Sequence, residues 1–112
     1  MVNIQYQQRI ESTLSMVPVG AVVSYGQLAD LAGLPGKARL IAKYLKTSET
    51  QINWHRVIRS DGKIAFPENS EQANDQRRRL LSEGVLVANN RVRMASFQWQ
   101  PDMYTLLEKL RY

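Results

Sequence analysis

Cysteine is absent from the 112 residues. That excludes a disulfide framework, thiolate zinc sites and every mechanism that needs a thiol nucleophile. Histidine is nearly absent too. With His55 alone, the imidazoles of a zinc site are missing, and no metal or cofactor is expected. No apolar run approaches the ~20 residues of a membrane-spanning helix. Neither an apolar stretch nor an Arg-rich segment follows Met1 to act as a targeting signal, so a soluble, cytoplasmic protein without membrane contact is the expectation. Internal repeats, low-complexity segments and linkers are also missing. The chain therefore reads as one domain over residues 1–112, long enough to bury a core.

Acidic residues are the minority: ten Asp and Glu face fifteen Lys and Arg, for a net charge of +5. This excess is compatible with a nucleic-acid partner but does not establish one. The cations cluster at Lys37–Lys46, Arg56–Lys63 and Arg77–Arg79.

Tyr6, Ile10, Leu14 and Val17 recur at helical spacing and predict a helix over Asn3–Met16, broken by Pro18 and Gly20. Ala21–Val23 reads as extended. Ser24 can cap a helix at the N–H of Gln27, whose side chain would reach back to Ser24 in a capping box. That puts Tyr25 at the first helical position. This helix stops at Gly33, Leu34-Pro35-Gly36 turns the chain, and a second helix begins near Lys37. Its apolar side is predicted from Ala38, Ile41, Ala42 and Leu45, its cationic side from Arg39, Lys43 and Lys46. Two short helices about a Gly/Pro turn make a helix-turn-helix pattern, with DNA binding and a solvated lysine face about equally supported.

Thr47–Asn53 reads as a polar loop and His55–Ile58 as a short strand or extended segment. Ser60-Asp61-Gly62 forms a turn. A third helix, capped by Ser70, is predicted to bury Ala73, the Arg77 stem and Leu80-Leu81, ending at Glu83-Gly84. Val85–Ala88 and Arg91–Ala95 flank Asn89-Asn90, a pair suited to a tight hairpin. Helix-turn-helix followed by hairpin is the order of a winged helix. Met103, Leu106, Leu107 and Leu110 mark an amphipathic tail helix over about 102–112.

Two stretches resemble one family. Pro18-x-Gly20-x-Val22-x-Ser24-Tyr25-Gly26-Gln27-Leu28-Ala29, with Leu31-Ala32-Gly33 and Ala38-Arg39, is similar to the DNA-binding half of the O6-alkylguanine-DNA alkyltransferases. Asn53-Trp54-His55-Arg56-Val57-Ile58 resembles their active-site signature, Pro-Cys-His-Arg-Val-Ile. Gly62, Leu80-Leu81 and Glu83-Gly84 also fit, and the likeness runs from about Ile4 to Trp99. The enzymes attack the alkyl carbon with a thiolate; here Trp54 stands in the place of that cysteine, and indole has no comparable nucleophile. Cysteine replaced by tryptophan marks the alkyltransferase-like members, which look like non-enzymatic lesion sensors.

The resemblance implies a mainly α fold with small β: a winged helix-turn-helix DNA-binding domain of the alkyltransferase C-terminal-domain type. Arg39 matches the finger that fills the stack when a nucleotide leaves, a role suited to a planar cation. Tyr25 matches the tyrosine that presses the target phosphate. Lys37, Lys43 and Lys46 would contact phosphates. Trp54, His55, Arg56, Val57 and Glu83 would form the lesion pocket and its support, Trp54 against the damaged base, His55 and Glu83 as a hydrogen-bonded pair with no thiol to activate, and Arg56 and Val57 as scaffold. Ser60 to Phe66 would form the loop closing over the pocket, and Pro67 and its neighbours depart from the basic or Gly/Ser character of that loop in relatives. Arg77-Arg78-Arg79 receives no role.

The implied function is minor-groove binding of duplex DNA, flipping of O6-alkylguanine and hand-over to nucleotide excision repair proteins, by a monomer without catalysis. Three other readings stand beside it. They are a sequence-specific winged-helix regulator, an alkyltransferase with a non-cysteine acceptor, and a scaffold for protein partners alone.

Overall fold

The computed structural model describes residues 4–47 and 52–110. Asn3 as a helix start, the centre of the expected polar loop at 48–51 and the last residues of the tail helix lie outside the described residues. The fold is mainly helical with two small sheets. The elements run α1 (Ile4–Ser15), β1 (Val23–Ser24), α2 (Tyr25–Leu31), α3 (Ala38–Thr47), a 3-10 turn (Trp54–Arg56), β2 (Val57–Ile58), α4 (Glu71–Ser82), β3 (Val87–Ala88), β4 (Arg91–Val92), α5 (Met94–Phe97) and α6 (Met103–Leu110).

Helix α1 buries Ile10, Thr13 and Leu14. The hydroxyl of Thr13 is satisfied by donating to the Arg9 carbonyl at 2.7 Å, so a polar side chain sits in the core without cost. Helix α2 starts where Ser24 Oγ accepts the Gln27 N–H at 3.0 Å. It ends in a left-handed glycine: Gly33 has φ +76°, and the Leu34 N–H bonds the Ala29 carbonyl at 2.8 Å while the Gly33 N–H bonds Asp30 at 3.1 Å. This Schellman closure turns the chain directly into α3.

The second half of the expected capping box does not form. Gln27 Nε2 donates instead to the Trp99 carbonyl at 2.8 Å, and its Oε1 accepts from Gln98 at 2.9 Å. The chain after α5 lies beside β1, with Val22 bonded to the Phe97 carbonyl and the Trp99 N–H bonded to Val22. The distant Gln98 amide thus takes the Gln27 oxygen that a local cap would have used.

In α3 the inward side is broader than its alanines and Leu45 suggest. Ile41 and Tyr44 are buried and Leu40 packs on the core, while Ala38, Ala42 and Leu45 are half-buried. Strand β1 pairs with β2 in parallel, Val23 opposite Val57 and Ser24 opposite Ile58. One core cluster gathers α1, α2 and α3 around Val23 and Val57; a second gathers Val22, Ile58, Ile64, Ala73, Leu80, Val85 and Val92.

Two further expectations are corrected. His55 and Arg56 are not strand residues, because the chain coils into a 3-10 turn that directs both side chains inward. In α4 the buried stripe is Ala73, Gln76 and Leu80, whereas Arg77 is exposed and Leu81 is 46% exposed. The helix is rotated about one residue from the expected stripe, and the inward Gln76 amide donates to two carbonyls. In α6, Leu106 is buried and Leu110 half-buried, but Met103 and Leu107 are more than half exposed.

The hairpin forms at the expected turn, with Asn89 and Asn90 at φ +54° and +60°, the pattern of a type I′ turn. Its strands are shorter than predicted, since Met94 and Ala95 enter α5. Gly62 anchors the preceding loop to it: the Val92 N–H bonds the Gly62 carbonyl at 2.8 Å. Gly62 has φ +88°, and a β-carbon there would fall 2.1 Å from the Val92 carbonyl oxygen. Gly62→Ala is therefore expected to destabilise the protein by more than ~2 kcal/mol, combining backbone strain with a steric clash. Urea unfolding checks this; a loss below ~0.5 kcal/mol would refute the clash.

Candidate functional site

The parallel pairing of β1 and β2 sets the site. Tyr25 leaves the C-terminal end of β1 and the Trp54–Arg56 turn enters the N-terminal end of β2, so the two aromatic residues flank opposite ends of one short ladder. Tyr25 is partly buried against the first core cluster. Burial pushes its hydroxyl above the usual tyrosine range, so at neutral pH it is a neutral hydrogen-bond donor, the form that can approach a phosphate. Lys37, Arg39, Lys43 and Lys46 are exposed along α3 and the turn before it. Arg39, Lys43 and Lys46 stand at i, i+4 and i+7, giving one cationic face opposite Ile41 and Tyr44.

Beneath the Trp54 turn lies a buried ionic network. His55 Nε2 is 2.9 Å from Glu83 Oε2. Arg56 donates its Nε to Glu83 Oε1 at 2.9 Å and a terminal nitrogen to Glu83 Oε2 at 2.8 Å. Its other terminal nitrogen donates to the Val17 carbonyl at 2.8 Å. Arg56 thus ties the end of α1, the turn and the end of α4 together. Glu83 is the C-cap of α4, where the helix dipole disfavours a carboxylate. The Arg56 hydrogen bonds outweigh that position and the partial burial; with His55 they hold the carboxyl at about 2. It is ionised at any physiological pH.

Trp54 is half-buried above this network. Its ring meets His55 and Phe66 edge-on, each with centroids 6.3 Å apart, and the Arg79 guanidinium carbon lies 5.5 Å from its centroid. Val57 is 1% exposed within the first core cluster. It therefore supports the site from the core rather than lining a pocket.

The structure brings together Trp54, His55, Arg56 and Glu83, and leaves Tyr25 and the α3 cations as a separate surface. Gln76 had no part in the sequence reading, Arg79 stood there only in a run without a role, and Phe66 only as the end of the loop expected over the pocket. Gln76 Nε2 donates to the carbonyls of His55 and Val57, both at 3.0 Å; a glutamine at an inward helical position was the available signal. Phe66 and Arg79 reach Trp54 only through folding. Among the described residues no group of three His, Asp or Glu could hold a metal, and no helix is long and apolar enough to cross a membrane.

Residues 5–85 match the model of the 6-O-methylguanine DNA methyltransferase DNA-binding domain. The chain belongs to that family. Its likeness is to the alkyltransferase-like branch: it is 32% identical over 100 residues to a DNA base-flipping protein of Vibrio parahaemolyticus, covering 87% of this chain and 98% of the relative. It is 29% identical to alkyltransferase-like protein 1 of Schizosaccharomyces pombe over 104 residues, 87% of this chain and 96% of the relative. The crystal structure of S. pombe Atl1 in complex with damaged DNA containing O6-carboxymethylguanine superposes with a TM-score of 0.81 at 29% identity, covering 90% of this chain and all of that one. The Mycobacterium tuberculosis OGT–DNA complex gives 0.63 at 32% identity, over 74% of this chain and 51% of the enzyme.

This chain holds the His55–Glu83 pair and has no thiol. It is not an alkyl-transferring enzyme: His55 and Glu83 have no cysteine to deprotonate, and transfer needs a soft nucleophile aimed at the alkyl carbon.

Proposed function

We propose that the protein is a DNA-damage sensor that engages duplex DNA from the minor groove and flips O6-alkylguanine into a pocket beside Trp54. The base is held there without chemistry. The observation that carries this reading is the complete His55–Arg56–Glu83 support beneath a tryptophan in the acceptor position. The ion pairs and hydrogen bonds among His55, Arg56 and Glu83 hold the turn that carries Trp54 in one geometry. An indole on that rigid floor offers a flat apolar surface to a base, worth ~1–3 kcal/mol per stacked base by substitution. Relatives are named for base flipping or were crystallised on damaged DNA, which supports the same assignment.

Flipping costs a few kcal/mol, less for a lesion that pairs badly. Selectivity therefore begins before the pocket is reached. Tyr25 would press the target phosphate, Arg39 would fill the vacated stack, and Lys37, Lys43 and Lys46 would hold the backbone without reading sequence. We assign the persistent complex, formed by a monomer in the cytoplasm, as the signal for nucleotide excision repair proteins.

Fluorescence anisotropy on matched duplexes carrying guanine or O6-methylguanine tests this. Tighter binding of the lesion duplex is expected, with competition by a minor-groove ligand. Equal affinities would defeat the sensor reading, and preference for one undamaged sequence would point to a regulator instead.

A further inference from the structure

We propose that helix α4 sets the pose of the Trp54 indole, with Gln76 fixing the backbone that carries it and Arg79 fixing the ring, so that Arg79 is a positioning residue for lesion discrimination. This rests on the sensor reading above. Gln76 and Arg79 are one helical turn apart, so both reach the same neighbour from one face of α4. Gln76 is 1% exposed, and its two bonds to the His55 and Val57 carbonyls clamp the turn from both sides of Arg56. Two acceptors at 3.0 Å also fix which end of the amide faces the turn.

Arg79 acts on the ring itself. Its Nε donates to Asp75 Oδ1 at 3.1 Å, one turn back along α4, which aims the guanidinium while its carbon sits 5.5 Å from the indole centroid. Asp75 also pairs with Arg78 at 3.7 Å. Within the run Arg77-Arg78-Arg79, then, Arg79 is singled out by what it touches. The loop opposite, Ala65-Phe66-Pro67-Glu68, brings no cation, only the Phe66 ring against the indole. The indole is thus held by a cation from the helix side and an aromatic ring from the loop side, and a base that contacts it meets a pre-set surface. A guanidinium against an indole is worth a few-fold in equilibrium terms at a partly exposed site.

The test uses the full chain with Trp99→Phe, leaving Trp54 as the single tryptophan, and compares Arg79 with Arg79→Ala and Arg79→Lys. In the free protein, Arg79→Ala should shift Trp54 emission and raise its quenching by acrylamide, and Arg79→Lys should restore much of the parent behaviour. With DNA, Arg79→Ala should cut the ratio of O6-methylguanine to guanine affinity by about twofold to fivefold. Unchanged Trp54 emission and quenching would overturn the proposal, and so would equal losses on both duplexes, the mark of a phosphate contact. If the parent protein shows no lesion preference, the sensor reading falls, and the free-protein measurements still decide whether Arg79 sets the indole. Gln76→Met, which removes both clamping donors at similar volume, should increase Trp54 quenching as well; quenching unchanged in a folded Gln76→Met protein would remove the backbone half of the proposal.

Discussion

Glu83→Gln is expected to destabilise the protein by about 3 kcal/mol, in line with removing one partner of a buried ion pair. Arg56 is 7% exposed, and Glu83 supplies the carboxylate that neutralises it and accepts two of its hydrogen bonds. A glutamine amide keeps one acceptor but presents an NH2 group where Oε1 or Oε2 now faces a donor. The cation then stays buried without a counter-charge, and the amide nitrogen meets a donor of Arg56 or of His55. For a domain of this size the Tm should fall by about 10 °C or more. Denaturant titration checks the figure, and a loss under ~1 kcal/mol would show that the network is solvated rather than structural.

The same contact has a pH signature. The Glu83 carboxyl is held at about 2 in the folded protein, first by Arg56 and then by His55, against ~4.3 in an unfolded chain. A depressed folded value means that the stabilisation is complete above the unfolded value and is lost as pH falls toward 2. The stability gap between the parent and Glu83→Gln should therefore be constant above about pH 5 and close progressively on further acidification. A gap independent of pH down to 2 would mean that Arg56 does not depress this carboxyl.

Arg39→Ala is expected to weaken binding to an O6-alkylguanine duplex by about 10- to 100-fold, the range for losing hydrogen bonds to a charged group. Arg39 is exposed in the first turn of α3, so folding stability should change by no more than ~0.5 kcal/mol. Its guanidinium is wide and flat enough to occupy a vacated stacking position and to bond an orphaned base, which an ammonium on a thin stem does less well. Arg39→Lys should consequently recover only a small part of the loss. Affinity for the lesion duplex unaltered by Arg39→Ala would remove the finger assignment without touching the family.

Legibility in the sequence followed the range of the interaction. Ser24 and Ser70 cap their helices by bonding an N–H three residues away, and Asn89-Asn90 turns the hairpin in two residues, so each signal is complete within a few positions. The site was legible through one motif, Trp54-His55-Arg56-Val57, and the acid that pairs with it. Gln76 and Arg79 were not, because nothing local says which way α4 is rotated. Ala73, Arg77 and Leu80 satisfy a helical period almost as well as Ala73, Gln76 and Leu80.

The sequence by itself determined that no thiol exists, that a tryptophan takes its place, and where the serine-capped helices and the hairpin turn begin. These depend on composition and on contacts between near neighbours. Only the tertiary structure decided what surrounds that tryptophan and which partner each polar side chain takes. Gln27 Oε1 accepts from Gln98, 71 residues away, in place of the local Ser24 N–H. Arg56 finds Glu83 27 residues on, and Arg79 reaches the indole across the α4 interface. A polar side chain goes to whichever partner the packed chain brings within reach, and for a buried donor such as Arg56 leaving it unpaired would cost more than forsaking a local motif.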